Sequence, residues 1–191
     1  REHLLAQGYR QTTLTNFERC DLQNDPRRYL YELMSFQPDR FDVLGFGPSG
    51  ISCSEQTPGS SALKTMNPES AVEYLQAVHR GGTVWNRYYE FSSSDLKLLN
   101  ATRQLSALQI DRQRYQDALG SDVVNDYAQE LEALQRERLL DVTDAAVSLS
   151  TRGMFYADSV AAVLAHRQLG RGCDKQASRR SHANDNSGGH M

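Results

Sequence analysis

Phe41-Asp42-Val43-Leu44-Gly45-Phe46-Gly47-Pro48-Ser49-Gly50-Ile51-Ser52 is the stretch on which the fold class turns. Its apolar run is short and ends in glycines, the pattern of a strand buried on both faces of a parallel sheet. Residues 45–50 spell a literal G-x-G-x-x-G. As a dinucleotide fingerprint, this needs a helix opening directly behind it inside a βαβ unit. The residues that follow, 54–67, are rich in Ser, Thr and Gly and read as loop. Glu69 has the spacing of the fingerprint's acidic residue but stands at a helix start. The dinucleotide reading is therefore set aside. Two readings remain for the glycines. They let the backbone approach a ligand at the carboxyl edge of a sheet, or they serve a tight turn that needs small residues.

Upstream, Tyr9 to Phe17 is rich in aromatic and β-branched residues and reads as a strand running into a loop. Gly8 stops a helix before it. The chain opens Arg1-Glu2-His3-Leu4-Leu5 in what reads as mid-helix, so a piece of a longer protein is expected. Downstream, Asn67 reads as the N-cap of a helix over 69–80 that carries Val72, Leu75 and Val78, and Gly81-Gly82 ends it.

The second half is patterned differently. Ser94 is read as the cap of a helix bearing Leu96, Leu99, Leu105 and Leu108. Asp111 opens a short helix that Gly120 stops. Asp122 to Arg138 reads as one helix with Val124, Tyr127, Leu131 and Leu134 on a stripe. Residues 139–143 and 147–150 read as two strands around a turn. The last helix carries Met154, Ala157, Ala161 and Leu164 on one face. That order is winged-helix-like. The tail from Arg167 holds five basic residues against Asp174 and Asp185, a charge of +3, and has few large apolar residues. It reads as disordered and solvated, with contact to an anionic partner as the alternative.

The 191 residues carry a net charge of −3, with 39% hydrophobic and 24% charged residues. Whole-chain charge gives no argument for nucleic acid. The helix at 122–138 carries five carboxylates against Arg136 and Arg138, so phosphates would repel it as a groove reader. No apolar run suits a membrane span and no secretory leader is read. Cys20, Cys53 and Cys173 are odd in number and widely spaced, which fits a reducing, cytoplasmic setting and forms no cluster motif. Cys53 reads as buried filler, with a ligand or nucleophile role as the alternative. The histidines have no zinc-ligand spacing, so neither a metal ligand nor a catalytic residue is assigned.

Four segments in order resemble one family. Gly8-Tyr9 with Thr15-Asn16-Phe17 is similar to the G-Y…[SD]-[NH]-F segment of oxygen-independent coproporphyrinogen III oxidase-like radical SAM proteins. Residues 42–52 are similar to their L-G-x-G-x-[SG]-A-x-S strand and loop, with Gly50 where the family has Ala. Gly82-Thr83-Val84-Trp85-Asn86-Arg87 with Ser94-Asp95 resembles their G-x-x-x-W-x-R…[TS]-x-x-D. Residues 130–140 and Val147 to Gly153 resemble their terminal pattern. The likeness spans about residues 4–166. Glu32-Leu33-Met34-Ser35-Phe36-Gln37-Pro38 and the Asn-rich tail look most like the haem-utilisation branch, the anaerobic haem-degrading radical SAM methyltransferases.

The resemblance implies an α/β plus mostly α chain. Residues 1–55 would be the last strands of a radical SAM (β/α) barrel and 56–92 a connector with one helix. Residues 93–166 would be a winged-helix-like domain and 167–191 the basic tail. It implies S-adenosylmethionine and a [4Fe–4S] cluster as cofactors, used for radical methyl transfer and ring opening or for oxidative decarboxylation. It implies haem or a porphyrinogen as substrate, and neither nucleic acid nor membrane as partner. By resemblance, Gly45, Gly47 and Ser49 would approach the nucleoside and Asn16 would donate to the cofactor. Trp85 would sit in the core or stack on porphyrin, and Arg87 would pair a propionate or form a surface ion pair. His166 would be a haem-iron ligand or a solvated helix-end cation. The family's C-x-x-x-C-x-x-C motif is absent from this sequence. The expectation is an inactive carboxyl-terminal portion that binds no cofactor tightly alone. A non-catalytic haem- or partner-binding module and a winged-helix DNA-binding protein stand as alternatives.

Overall fold

The computed structural model describes residues 1–22, 24–26, 28–54 and 62–166. The expected tail at 167–191 lies outside the described residues, as do residues 55–61 of the expected loop.

A short helix, α1 (Glu2–Ala6), leads through Gly8 at φ 80° into a hairpin of β1 (Tyr9–Gln11) and β2 (Phe17–Arg19). Tyr9 faces Arg19 and Gln11 faces Phe17, antiparallel. The expected strand from Tyr9 runs into its loop after Gln11, and a second strand that the sequence reading lacks begins at Phe17. The buried Thr13 hydroxyl accepts from the amide of Asn16 at 3.1 Å, which folds residues 12–16 into a turn. Helix α2 (Tyr31–Ser35) follows.

The middle sheet has order β3-β4-β5, with β3 Ile51–Ser54, β4 Leu63–Met66 and β5 Arg87–Glu90. Here the reading of Phe41–Phe46 as a parallel strand buried on both faces is corrected. Val43 pairs by a single antiparallel bridge with Cys53, and Leu44 and Phe46 are 71% and 85% exposed. An apolar run marks a surface that favours burial, whatever the ladder type. β4 lies inside the stretch expected to be loop. It pairs on both sides, so its backbone ladder outweighs the weak β pattern of Leu-Lys-Thr-Met. Helix α3 (Ala71–Arg80) is capped by Ser70, which accepts from Glu73, and not by Asn67. Its stripe of Val72, Leu75 and Val78 is exposed and only Ala77 is buried.

The C-terminal part holds the core. Helix α4 (Ser93–Ser106) begins in a capping box of Ser92 and Asp95, just upstream of the expected cap. Then come β6 (Gln109–Asp111) and α5 (Arg112–Leu119), capped by Asp111 and stopped by left-handed Gly120 as the sequence predicts. The helix expected over 122–138 is broken at Tyr127 into α6 (Val123–Asp126) and α7 (Ala128–Arg136). β7 (Leu140–Val142) and β8 (Ala146–Leu149) match the expected pair, α8 (Thr151–Phe155) follows, and residues 157–166 are helical. The sheet order is β6-β8-β7, all antiparallel. Leu105, Ile110, Tyr115, Leu131, Val147 and Leu164 pack at its centre.

Two polar networks tie these helices together. Asp126 accepts from Lys97 at 2.7 Å, Ser121 at 2.6 Å and the Tyr115 hydroxyl at 3.1 Å. Burial pushes its carboxyl up, but those donors outweigh it and hold Asp126 below the ordinary carboxylate range. Arg112 holds Asp122 low in the same sense, chiefly by hydrogen bonding. Burial drives the Tyr115 and Tyr127 hydroxyls well above the usual phenol range. Asp39, only 5% exposed, pairs with Arg114 in a two-pronged fork and joins the turn after α2 to α5.

Candidate functional site

The glycine-rich segment closes on itself. Val43 and Cys53 exchange backbone hydrogen bonds of 2.8 Å, and residues 44–50 make the excursion between them. The Gly45 amide donates to the Ser52 hydroxyl at 3.0 Å. A Cβ on Gly45 would lie 2.3 Å from the Ile51 backbone nitrogen, and one on Gly50 would lie 2.9 Å from the Gly45 carbonyl carbon. At these two positions the absent side chain makes room for the chain's own backbone. Gly47, at φ 84°, faces open space instead, and Ser49 also has a left-handed φ of 59°. Asn67 fastens the loop. Its side-chain amide donates to the carbonyls of Gly45 at 3.2 Å and Gly47 at 3.0 Å, and its backbone amide donates to Gly50. Ser49 donates to the Pro68 carbonyl at 2.9 Å, which sets the loop beside the start of α3.

Asn16 lies elsewhere, in the wall of a cavity of about 880 Å³ between the β1–β2 hairpin and Leu22, Asp25, Arg28, Tyr29, Glu32 and Leu33. Its side-chain amide donates to the Glu32 carboxylate. Glu18 accepts from Arg28 at 2.5 Å and from Arg10 at 3.3 Å. Tyr9, Phe17 and Tyr29 supply aromatic surface. Gly45, Gly47 and Ser49 do not line this cavity, so the structure does not bring the four cofactor candidates into one pocket. Trp85 is 39% exposed and meets Tyr88 edge to face at 5.5 Å. Arg87 donates to Glu69 at 2.7 Å with both side chains largely exposed, the surface ion pair foreseen as one of its two readings. His166 lines a shallow groove of about 430 Å³ with Glu130 and Val163.

Sequence reasoning missed the Glu18–Arg28 and Asn16–Glu32 pairs, and it gave Asn67 the role that Ser70 fills. The pairs join residues ten and sixteen apart across irregular chain, where no periodic signal exists. The only clue to Asn67 was its place directly before Pro68. Among the described residues, no three His, Cys, Asp or Glu side chains converge as metal ligands, and no helix is long and apolar enough to cross a membrane.

The chain shares the fold of part of a radical SAM enzyme. A solved structure, coproporphyrinogen III oxidase from Escherichia coli, matches at 16% identity with a TM-score of 0.61. The match covers 85% of this chain and 38% of that one, so the chain spans well under half of its structural neighbour. No family model and no curated protein matches the sequence.

Proposed function

We propose that the chain is the carboxyl-terminal portion of a radical SAM enzyme that processes a tetrapyrrole, haem or a porphyrinogen. The observation that carries this reading is the shared fold with coproporphyrinogen III oxidase over 85% of the chain. Within it, the β1–β2 hairpin and the segment around Val43, both paired antiparallel, stand at the edge where the barrel of the longer enzyme would lie. The order of 93–149, one helix, a strand, three helices and two strands, is a winged-helix-like cap. The exposed Leu44 and Phe46, with Val72, Leu75 and Val78 of α3, support this reading, because they are the apolar surface that further barrel elements would cover. The haem-degrading methyltransferase branch is the finer assignment, on Glu32 to Pro38. A cytoplasmic enzyme with no nucleic-acid or membrane partner fits the composition.

The residues present do not fit the iron–sulfur cluster. It needs three thiolates; Cys20 and Cys53 stand on separate elements, and among the described residues no three His, Cys, Asp or Glu side chains converge. No step through the cluster is assigned to this chain. The S-adenosylmethionine nucleoside is a different matter. Gly47, open at its Cβ position, and Ser49 offer backbone groups that it can approach.

Anaerobic reconstitution of the chain with iron and sulfide tests the reading. No cubane spectrum and no cofactor cleavage is the expected result. A cubane with stoichiometric cleavage by this chain alone would overturn it. A Soret shift on titration with micromolar haem would favour a binding module instead, and salt-dependent duplex binding a DNA-binding protein.

A further inference from the structure

We propose that Asn67 is the positioning residue of the 45–50 loop, the side chain that fixes where Gly47 and Ser49 stand for a bound nucleoside. The inference rests on the nucleoside reading of that loop. One amide group has two protons, and each goes to a different loop carbonyl, Gly45 and Gly47. The backbone amide of the same residue takes a third, Gly50. A loop with two left-handed residues has no ladder to satisfy its carbonyls, so these bonds replace one. Asn67 directly follows β4, the central strand of its sheet, so the clamp is mounted on the most firmly held strand of this region. It is 8% exposed.

The clamp also accounts for Gly50. A Cβ there would lie 2.9 Å from the Asn67 side-chain nitrogen and equally close to the Gly45 carbonyl carbon. Where the resembled pattern carries Ala, this chain uses the space for an amide. An aspartate at position 67 would reverse the interaction, turning acceptor oxygens toward acceptor carbonyls. Only its protonated form could donate, and then to one carbonyl alone.

The test uses the ¹⁵N-labelled 191-residue chain, with Asn67→Ala and Asn67→Asp beside it. Amide exchange, corrected for intrinsic rates, is followed at Ser49, Gly50 and Asn67. S-adenosylhomocysteine is then titrated to millimolar concentration. The wild-type chain protects all three amides, and the nucleoside shifts Gly47 and Ser49. Asn67→Ala loses protection about tenfold or more, since two hydrogen bonds to half-buried loop carbonyls go with it, and its response to the nucleoside weakens by a similar factor. Val147 and Leu149 keep their exchange rates, which shows that the rest has folded. Asn67→Asp resembles the alanine variant at neutral pH and regains part of the protection once its carboxyl is protonated. Unchanged protection or an unchanged nucleoside response in Asn67→Ala overturns the clamp. A wild-type chain whose Gly47 and Ser49 ignore the nucleoside sinks the nucleoside reading instead, and the exchange rates still decide the clamp.

Discussion

At Gly153 an added methyl group would sit 1.9 Å from the carbonyl oxygen of Leu139. Both partners are backbone, one in α8 and one entering β7, so neither can step aside cheaply. Gly153→Ala should therefore lower stability by about 2 kcal/mol or more. A urea unfolding midpoint indistinguishable from wild type would contradict that. The amide of Gln104 offers a second case. Its oxygen accepts the Asp111 backbone amide at 3.0 Å while its nitrogen donates to Asn100, all near the core. Gln104→Ala strands these partners, and a loss of about 1–3 kcal/mol is expected in the same assay.

Among the elements, the helix ends and the Asp126 network set the pH response. Asp122 and Asp126 both ionise more readily in the fold than in the open chain. A group with a lowered folded pKa contributes its full stability above its unfolded value, and loses it as pH falls through the folded one. Stability should hold from neutrality to about pH 5 and decline below about pH 4, near the unfolded carboxylate value. Asp126→Asn should flatten that decline; chemical denaturation at a series of pH values reads it. Some of these elements were legible beforehand. Asp111, Gly120 and the strand pair at 140–149 announce themselves by cap and turn chemistry confined to a few neighbouring residues. The break at Tyr127 was not, because its stripe of Val124, Tyr127, Leu131 and Leu134 stays in phase across the interruption. β4 was not, because its pairing lies in contacts with Cys53 and Tyr89, far away in sequence. Glycine spacing singles out the 45–50 loop, yet the spacing alone could not reveal that Gly45 and Gly50 accommodate the loop's own backbone.

For the whole molecule, the Asp39–Arg114 fork is a charged long-range tie between the N-terminal segments and the helical part, beside the Leu14 amide bond to Ser106. Arg114→Ala leaves a nearly buried carboxylate with only Arg40, at 3.9 Å, beside it, so a loss of about 2–3 kcal/mol is expected, below the full cost of an orphaned buried charge. Asp39→Asn paired with Arg114→Met should recover much of the loss. Limited proteolysis gives a direct view: the single variant should be cut earlier between α2 and α5 than the double variant, and equal rates would argue that the fork is incidental.

The sheet order β6-β8-β7 also has a consequence for synthesis on the ribosome. β6 emerges first, but its partner is the last of the three strands of this sheet, with Gln109 facing Ser148. Until Leu149 has left the exit tunnel, Ile110 has no ladder to join. A transcript or ribosome that stops inside β8 would release a product whose core cannot close, however much of α4 to α7 it contains. The four residues of β8 are the step that joins β6 and β7 into one sheet, with Val160 and Leu164 of the following helix still to complete the core.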